Sequence, residues 1–563
     1  MPPPNAKIAT LENQYRDDRV LRRYLERTLP TDVLRDIERD LIELGELSGG
    51  ELHDLQLADR TNRPELIQWD ATGNRIDHVE LTGVWKRAHA LAAEYGLVAT
   101  PYEQTHGAYS RIHQFAMAHL LIPPTDMVSF VLATTDGAAR TLQESGNQAL
   151  INEVLPHLVS RSPEAFWTSG QWRTEQTGGS DLSRIKTEAR REDGTWRLYG
   201  RKWFTPSSIV NIALVLAKPQ RDDVDDLALF YLPIRTDGNG VADGVRVNRL
   251  KDSLGARKIP VSDVQLDGAA CRPVSKLSDG RLHLTDMVEL ARTWTSVMAT
   301  SFMRRGIALA RDFGRKRKAF GTPIIEKPLH YDTMASMQST YEAAFHLTFR
   351  LVELIGKQEA GEMSVQDRHL LHALTPIVKL TTAKQAVNVM GEVMEAFGGA
   401  GYVEETGIPL LLRDVYALPL WEGTTNVLSL ISLQTLRRDN RLAALKKELQ
   451  RCADAVEAPA LQHATDTALA AFRNAVEWLA TSLDDGQDAA EAGARRFALT
   501  IGHALELALL ARHAQWAMNQ EGSRATAVVE HFAAQGIDFI SPRQHYDGYR
   551  LAQDQATQSL FQM

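Results

Sequence analysis

The residue best placed to do chemistry in this chain is a single carboxylate, Glu422. It stands in the run Arg413-Asp414-Val415-Tyr416-Ala417-Leu418-Pro419-Leu420-Trp421-Glu422-Gly423-Thr424-Thr425-Asn426. A carboxylate between a tryptophan and a glycine can serve as the base for a weak carbon acid. Apolar bulk keeps water from the reacting atoms, and glycine lets a ligand come close to the backbone. Thr424, Thr425 and Asn426 offer short polar groups that bond a ligand or start a helix. Taken alone, the same residues also describe an ordinary helix N-terminus with an acid beside it.

Four other stretches carry residue types that suit a ligand. Trp172-Arg173-Thr174-Glu175-Gln176-Thr177-Gly178-Gly179-Ser180-Asp181 pairs two glycines with Ser-Asp, which lets main-chain N–H groups approach an anion or a ring edge. A polar turn before a strand accounts for it equally well. Gly200-Arg201-Lys202-Trp203-Phe204-Thr205 sets aromatic residues beside a hydroxyl, as a flat heterocycle requires and as a strand with core aromatics also does. Arg315-Lys316-Arg317-Lys318-Ala319-Phe320-Gly321 reads as a solvated helix end, as a diphosphate clamp, or as a nucleic-acid contact. Glu395-Ala396-Phe397-Gly398-Gly399-Ala400-Gly401-Tyr402 is a glycine helix stop that can also bring backbone to a ligand. It is no dinucleotide fingerprint, since the spacing is wrong for G-x-G-x-x-G and a helix, not a strand, precedes it.

These stretches need a large scaffold, and 563 residues allow several domains. Apolar residues at 44% and charged residues at 24% are those of a soluble globular chain. A net charge of −8 argues against general affinity for nucleic acid. Cys271 and Cys452 form no metal-ligand spacing and suggest a reducing compartment. No apolar run spans a bilayer, and Met1 to Asp17 lacks the apolar core of a signal peptide. A cytoplasmic protein without a metal site is expected.

Helical periodicity fills Pro30–Leu44 and most of Val84–Leu158, with polar, turn-rich sequence around Asp59–Pro64 between them. Near Phe166 the texture changes to short extended runs, with a hairpin signal at Asp193-Gly194. Amphipathic helices follow over Asp286–Arg317, Tyr331–Gln358, Ser364–Phe397 and Val427–Leu449, which suggests an antiparallel bundle. Ala458–Leu483 and Ala489–Gln520 add two more helices. The expected order is an N-terminal α-helical domain over 1–165, a β domain over 166–280, a four-helix bundle over 281–440, and an additional C-terminal helical domain over 441–563.

Together, in their order, the T-E-x-x-x-G-S-D, K-W-x-T, R-K-x-F-G, G-G-x-G-Y and R-D…E-G-T elements resemble the acyl-CoA dehydrogenase family. The resemblance covers Ala165–Thr435 well and the earlier helices more loosely. The long C-terminus, Asn62-Arg63-Pro64-Glu65-Leu66, Trp69-Asp70 and the tryptophan before Glu422 are similar to the AidB-like, long-chain subgroup. The resemblance implies an α+β multidomain fold with a β-barrel in the middle, FAD as cofactor, and a homotetramer. It implies Glu422 as catalytic base and contacts to the flavin ring from Thr174, Ser180, Trp203 and Thr205. Arg317 and Phe320 would reach a neighbour's FAD, Gly398 and Gly399 its diphosphate, and Thr424 and Asn426 the cofactor again. Arg292 and Trp421 would line the substrate cleft. Ala291 stands where some members carry their base, so Glu289 is the nearest rival to Glu422. The implied reaction converts an acyl-CoA thioester to a trans-2-enoyl-CoA, with hydride transfer to flavin N5, as in fatty acid metabolism. Electrons would pass to electron-transfer flavoprotein or to oxygen. An AidB-like flavoprotein associated with DNA, and an acyl-CoA oxidase or flavin monooxygenase, are the alternatives. The eleven Lys and Arg against fifteen Asp and Glu over Arg441–Met563 argue against DNA.

Overall fold

In the computed structural model, residues 9–206, 209–221, 226–235, 241–278, 280–438, 440–540, 552 and 554 are described. Helices Arg19–Thr28, Thr31–Gly49 and Glu51–Ala58 open the chain. The first is capped by Asp18, whose side chain accepts from the Leu21 N–H. A hairpin of Glu65–Trp69 and Arg75–Glu80 then interrupts the helical region. The sequence reading placed no strands there. Its turn is built on Asp70, which accepts from the Thr72 and Asn74 N–H groups at 2.8 and 2.9 Å.

The middle of the chain forms a seven-stranded sheet. Ile212–Pro219 is its hub, pairing in parallel with Ser169–Trp172 and Glu188–Glu192 and antiparallel with Ala228–Pro233. Its Ile-Ala-Leu-Val-Leu-Ala run is buried on both faces, as a central strand requires. Thr195–Pro206 and Val261–Pro273 complete the circuit back to Ala228–Pro233, so the sheet closes in the manner of a barrel. The expected hairpin is present, with Asp193 and Gly194 both at positive φ.

The bundle is built on Gly280–Lys316, Pro328–Glu359, Val365–Ala396 and Thr425–Leu436. Ser364 caps the third helix, accepting from the Asp367 N–H at 3.0 Å. The single helix expected over Val427–Leu449 is two, Thr425–Leu436 and Arg441–Ala453, because the polar Arg437-Arg438 step ends the first. Pro459–Asp484 and Gln487–Glu521 form a helical hairpin, and Ser523–Ala534 adds a helix the sequence reading lacked. The hairpin packs tightly on the bundle. A Cβ on Gly502 would lie 2.3 Å from Thr381 Oγ1, and Gln385 donates to buried Glu506 at 2.9 Å.

Candidate active site

A cavity of about 1050 Å³ opens where the barrel meets the bundle. Glu422 lies in its wall on a strained turn, with φ +54 at Glu422 and +107 at Gly423. Thr424 ends that turn as the N-cap of Thr425–Leu436, its hydroxyl accepting from the Val427 N–H at 3.4 Å. Two cations hold the turn by consecutive carbonyls. Arg292 Nε donates to the Glu422 oxygen at 3.2 Å, and Lys379 Nζ to the Gly423 oxygen at 2.7 Å. A Gly423→Ala variant places a methyl 3.0 Å from Leu428 Cδ2 at a φ that alanine resists. It should lose about 1–3 kcal/mol of stability in a denaturant melt, and an unchanged melt would show the turn to be unstrained.

The apolar setting expected of Glu422 holds on one side only. Trp421 packs on Phe130 with ring centroids 4.1 Å apart. On the other side Arg173 Nη2 donates to Glu422 Oε2 at 2.9 Å, across 249 residues of sequence. Glu422 therefore sits in an ion pair, with its side chain 8% exposed. A second acid, Glu289, lines the same cavity and is bonded to His372 Nδ1 at 2.7 Å. Sequence reasoning missed Arg173, Lys379, His372 and Phe130. Only Arg173 carried a signal, a cation standing directly before Thr174.

Burial pulls two of these cations below their ordinary ranges. The Arg292 guanidinium falls to about 10, with Glu422 opposing the shift and Arg173 adding to it. The Lys379 ammonium falls to about 7, opposed by Glu422 and helped by Arg292. In the unfolded chain Lys379 keeps a proton up to about 10.4. Between those limits the unfolded state binds one proton more, so stability from this group rises with pH from 7 upward and is lost as pH falls through 7. Unfolding free energy measured across that window should rise less steeply in Lys379→Met, by the slope of one proton. Parallel curves would contradict this origin.

The site residues expected from the sequence separate into two groups. Thr174, Ser180, Arg292, Trp421, Glu422 and Thr424 line the cavity together. Trp203 and Thr205 are not among the lining residues described; Phe204 is. The register slips between Lys202 and Thr205 where this strand meets Val261–Pro273. Trp203 lies under the Lys251 ammonium, 3.1 Å from its ring centroid, and Thr205 is buried, donating to the Ser262 carbonyl at 2.7 Å. Asn426 is exposed in the first turn of Thr425–Leu436 and does not line the cavity either. Arg317, Phe320, Gly398 and Gly399 form the second group, all exposed and away from the cavity wall. The ends of their helices are joined by Phe313 stacked on Phe397, centroids 4.5 Å apart. Phe320, at φ +51, is 97% exposed.

Three family models match the chain in succession. Residues 5–164 match the adaptive response protein AidB N-terminal domain, 170–269 the acyl-CoA dehydrogenase middle domain, and 279–436 the acyl-CoA dehydrogenase C-terminal domain. Acyl-CoA dehydrogenase family member 11 of Caenorhabditis elegans is 35% identical over 523 residues, covering 90% of this chain and 85% of that protein. The chain belongs to the acyl-CoA dehydrogenase family. It is also 28% identical to AidB of Escherichia coli (strain K12) over 387 residues, 67% of this chain and 70% of that protein. The crystal structure of C. elegans ACDH-11 in complex with C11-CoA superposes with a TM-score of 0.91 at 33% identity, covering 97% of this chain and 95% of that one. The three-part fold is thus that of acyl-CoA dehydrogenases, oxidoreductases acting on CH–CH groups.

The family's cofactor is FAD, and the cavity fits a flavin ring. Gln171 lines it with a buried side-chain amide whose oxygen and nitrogen both lack protein partners. A planar heterocycle with alternating donors and acceptors on its edge satisfies such an amide. Thr174, Ser180 and Thr424 add hydroxyls around it, and Phe204 adds an aromatic face. Among the described residues, no helix is long and apolar enough to cross a membrane, and no metal-binding group occurs.

Proposed function

We propose that the chain is an FAD-dependent acyl-CoA dehydrogenase that converts an acyl-CoA thioester to the trans-2-enoyl-CoA, with Glu422 as base. The observation that carries this is the Glu422 carboxylate, turned into the cavity by a positive-φ backbone and held by Arg173. Phe130, Leu284 and Val288 give the cavity an apolar wall for an acyl chain. The C11-CoA bound by the C. elegans relative supports the thioester class.

Glu422 takes a proton from the carbon next to the thioester carbonyl. That carbon is acidic enough only if the enolate charge is stabilised, and preorganised N–H donors in a site closed to water do this. The Glu422 main-chain N–H is the donor assigned to the thioester oxygen. Arg292 and Lys379 fix its direction through the two carbonyls they bind. The Glu422 carboxylate leaves its pair with Arg173 as it is protonated, and Arg173 then faces the cavity as a cation that favours the negative oxygen. Bound FAD supplies the hydride acceptor for the neighbouring carbon. Gln171, Thr174, Ser180, Phe204 and Thr424 would hold the ring; Arg317, Phe320, Gly398 and Gly399 would serve a neighbouring subunit's cofactor in a homotetramer. Two buried free cysteines are consistent with a cytoplasmic protein. The proposed domain division is 1–165, 166–280, 281–440 and 441–563. Incubation with acyl-CoA and an artificial electron acceptor should yield a product two hydrogens lighter. Recovery of unchanged acyl-CoA at every chain length would refute the proposal.

A further inference from the structure

Three acids and one cation are buried together where the parts of the fold meet: Asp59, Asp126, Asp414 and Lys258. Asp59 follows the helix Glu51–Ala58, Asp126 lies between Ser110–Leu121 and Ser129–Glu144, and Asp414 belongs to Ile408–Val415. Lys258 stands on the barrel loop before Val261–Pro273. None of them lines the Glu422 cavity. The lysine is engaged by one acid only. Its three N–H groups are taken by the Asp59 carbonyl, by the Asn62 carbonyl at 2.6 Å and by the Asp59 carboxylate at 3.4 Å. Asp126 and Asp414 are left without an ion pair among the described residues. Asp126 Oδ1 accepts from the Gln56 amide at 2.6 Å, and Asp414 Oδ1 from the Ala256 N–H at 2.7 Å. Both Oδ2 atoms are buried and have no partner among the described residues.

Two ionised carboxylates so placed would leave buried charge uncompensated, at a cost that a proton removes. Burial, and then the charge of Asp126, push the Asp414 carboxyl up. Burial pushes Asp126 up too, with Asp59 adding to it. Gln56 and Lys258 at Asp126, and the Ala256 N–H, Arg413 and Lys258 at Asp414, oppose these shifts without reversing them. Arg413 is itself bonded to Glu404 at 2.9 Å. The two acids are tied to the Glu422 turn from both sides. The Ala417 N–H donates to the Asp414 carbonyl and the Trp421 N–H to the Ala417 carbonyl, both at 3.0 Å, so bonded turns join Asp414 to the residue before Glu422. Asp126 and Met127 stand at φ +49 and +64, and the Phe130 N–H donates to the Met127 carbonyl at 2.9 Å. Phe130 in turn packs on Trp421. Backbone strained in this way persists only where its surroundings hold it.

We propose that Asp126 and Asp414 are positioning residues that keep a proton between them, and that loss of this proton to solvent slackens the Phe130–Trp421 wall and slows flavin reduction by acyl-CoA. With one acid neutral, the segments that carry them stay together. With both ionised, like charges in a poorly screened interior push the segments apart. The kinetic half of the proposal rests on the reading of Glu422 as the base.

The test compares the flavin-loaded, full-length parent with Asp414→Asn, which keeps an acceptor for the Ala256 N–H and cannot ionise. Aspartate in the unfolded chain ionises near about 3.9. From there up to about 7 to about 8 the folded parent binds more protons, so its stability falls as pH rises. Asp414→Asn should be spared one proton of that slope, so its melting temperature should gain on the parent's as pH rises. Lys379 contributes equally to both and leaves the difference unchanged. Above about 8 the parent's rate of flavin reduction should lose about tenfold per pH unit, and the variant should escape that loss. Asp126→Asn, in which asparagine tolerates the positive φ, should behave alike. Parallel melting curves for the parent and both variants would overturn the proposal. Diverging melting curves with parallel rate profiles would leave the pair purely structural and overturn its positioning role. If no acyl-CoA reduces the parent's flavin, the Glu422 reading fails by itself, and the melting curves still decide whether the pair holds its proton.

Discussion

Glu422→Gln is expected to keep its flavin and lose reduction of that flavin by acyl-CoA. A general base in position contributes about 10²–10⁴ in rate, so the anaerobic reduction rate should fall by that range. The amide is nearly the size of the carboxylate, so Trp421 on Phe130 and the bonds from Arg292 and Lys379 to the turn should persist. Its oxygen can still accept from Arg173, which removes a trivial explanation by collapse of the turn. Flavin content and melting behaviour near the parent's, with reduction nearly abolished, would separate chemistry from architecture. Reduction at the parent's rate would leave Glu289, bonded to His372 in the same wall, as the carboxylate to examine.

The Glu422 turn was legible because one short run carries its chemistry, its glycine and its helix cap. What surrounds it was not. Arg173 meets Glu422 across 249 residues, and no local pattern reports such a pairing. Which aromatic of this strand lines the cavity was not legible either, for a physical reason. Alternation along Thr195–Pro206 assigns faces only while the register holds, and the irregularity between Lys202 and Thr205 brings Phe204 to the cavity and leaves Trp203 beside Lys251. Helices were readable from their periodicity, and Ser364 from its capping pattern. The hairpin Glu65–Glu80 escaped because its exposed strands bury little, so apolar alternation is weak there. Its Asp70-to-Asn74 turn was the usable signal.

The second large effect is expected one layer beneath the loop proposed to hold the flavin. Glu175, in the loop that carries Thr174 and Ser180, is buried and accepts from the Lys186 N–H, the Thr187 N–H and the Thr187 hydroxyl at 2.8, 3.0 and 2.6 Å. Lys202 is fully buried and donates to Glu175 at 3.0 Å and to the Leu216 carbonyl at 2.8 Å. Burial works against both charges. It pulls Lys202 down to about 8 despite Glu175, while Lys202 and the Thr187 and Lys186 donors overcome burial at Glu175 and hold it below the ordinary carboxylate range. At neutral pH the pair is ionised. Lys202→Met leaves a buried carboxylate without its cation, and breaking a buried pair from one side costs about 3–5 kcal/mol. The urea midpoint should drop accordingly, and flavin should be lost on gel filtration because the loop loses its anchor. Adding Glu175→Gln to Lys202→Met should restore part of the loss. A single variant with the parent's midpoint would mean that the pair contributes nothing to holding the loop.

The central claim is that this cavity dehydrogenates an acyl-CoA, and an anaerobic visible titration tests it most directly. Purified flavin-loaded protein is mixed with acyl-CoAs of increasing chain length while the oxidised flavin band is followed. Bleaching by one length class is the predicted result, and it would define the substrate range together with the chemistry. A flavin band that no acyl-CoA bleaches would contradict the assignment of Glu422 as a working base.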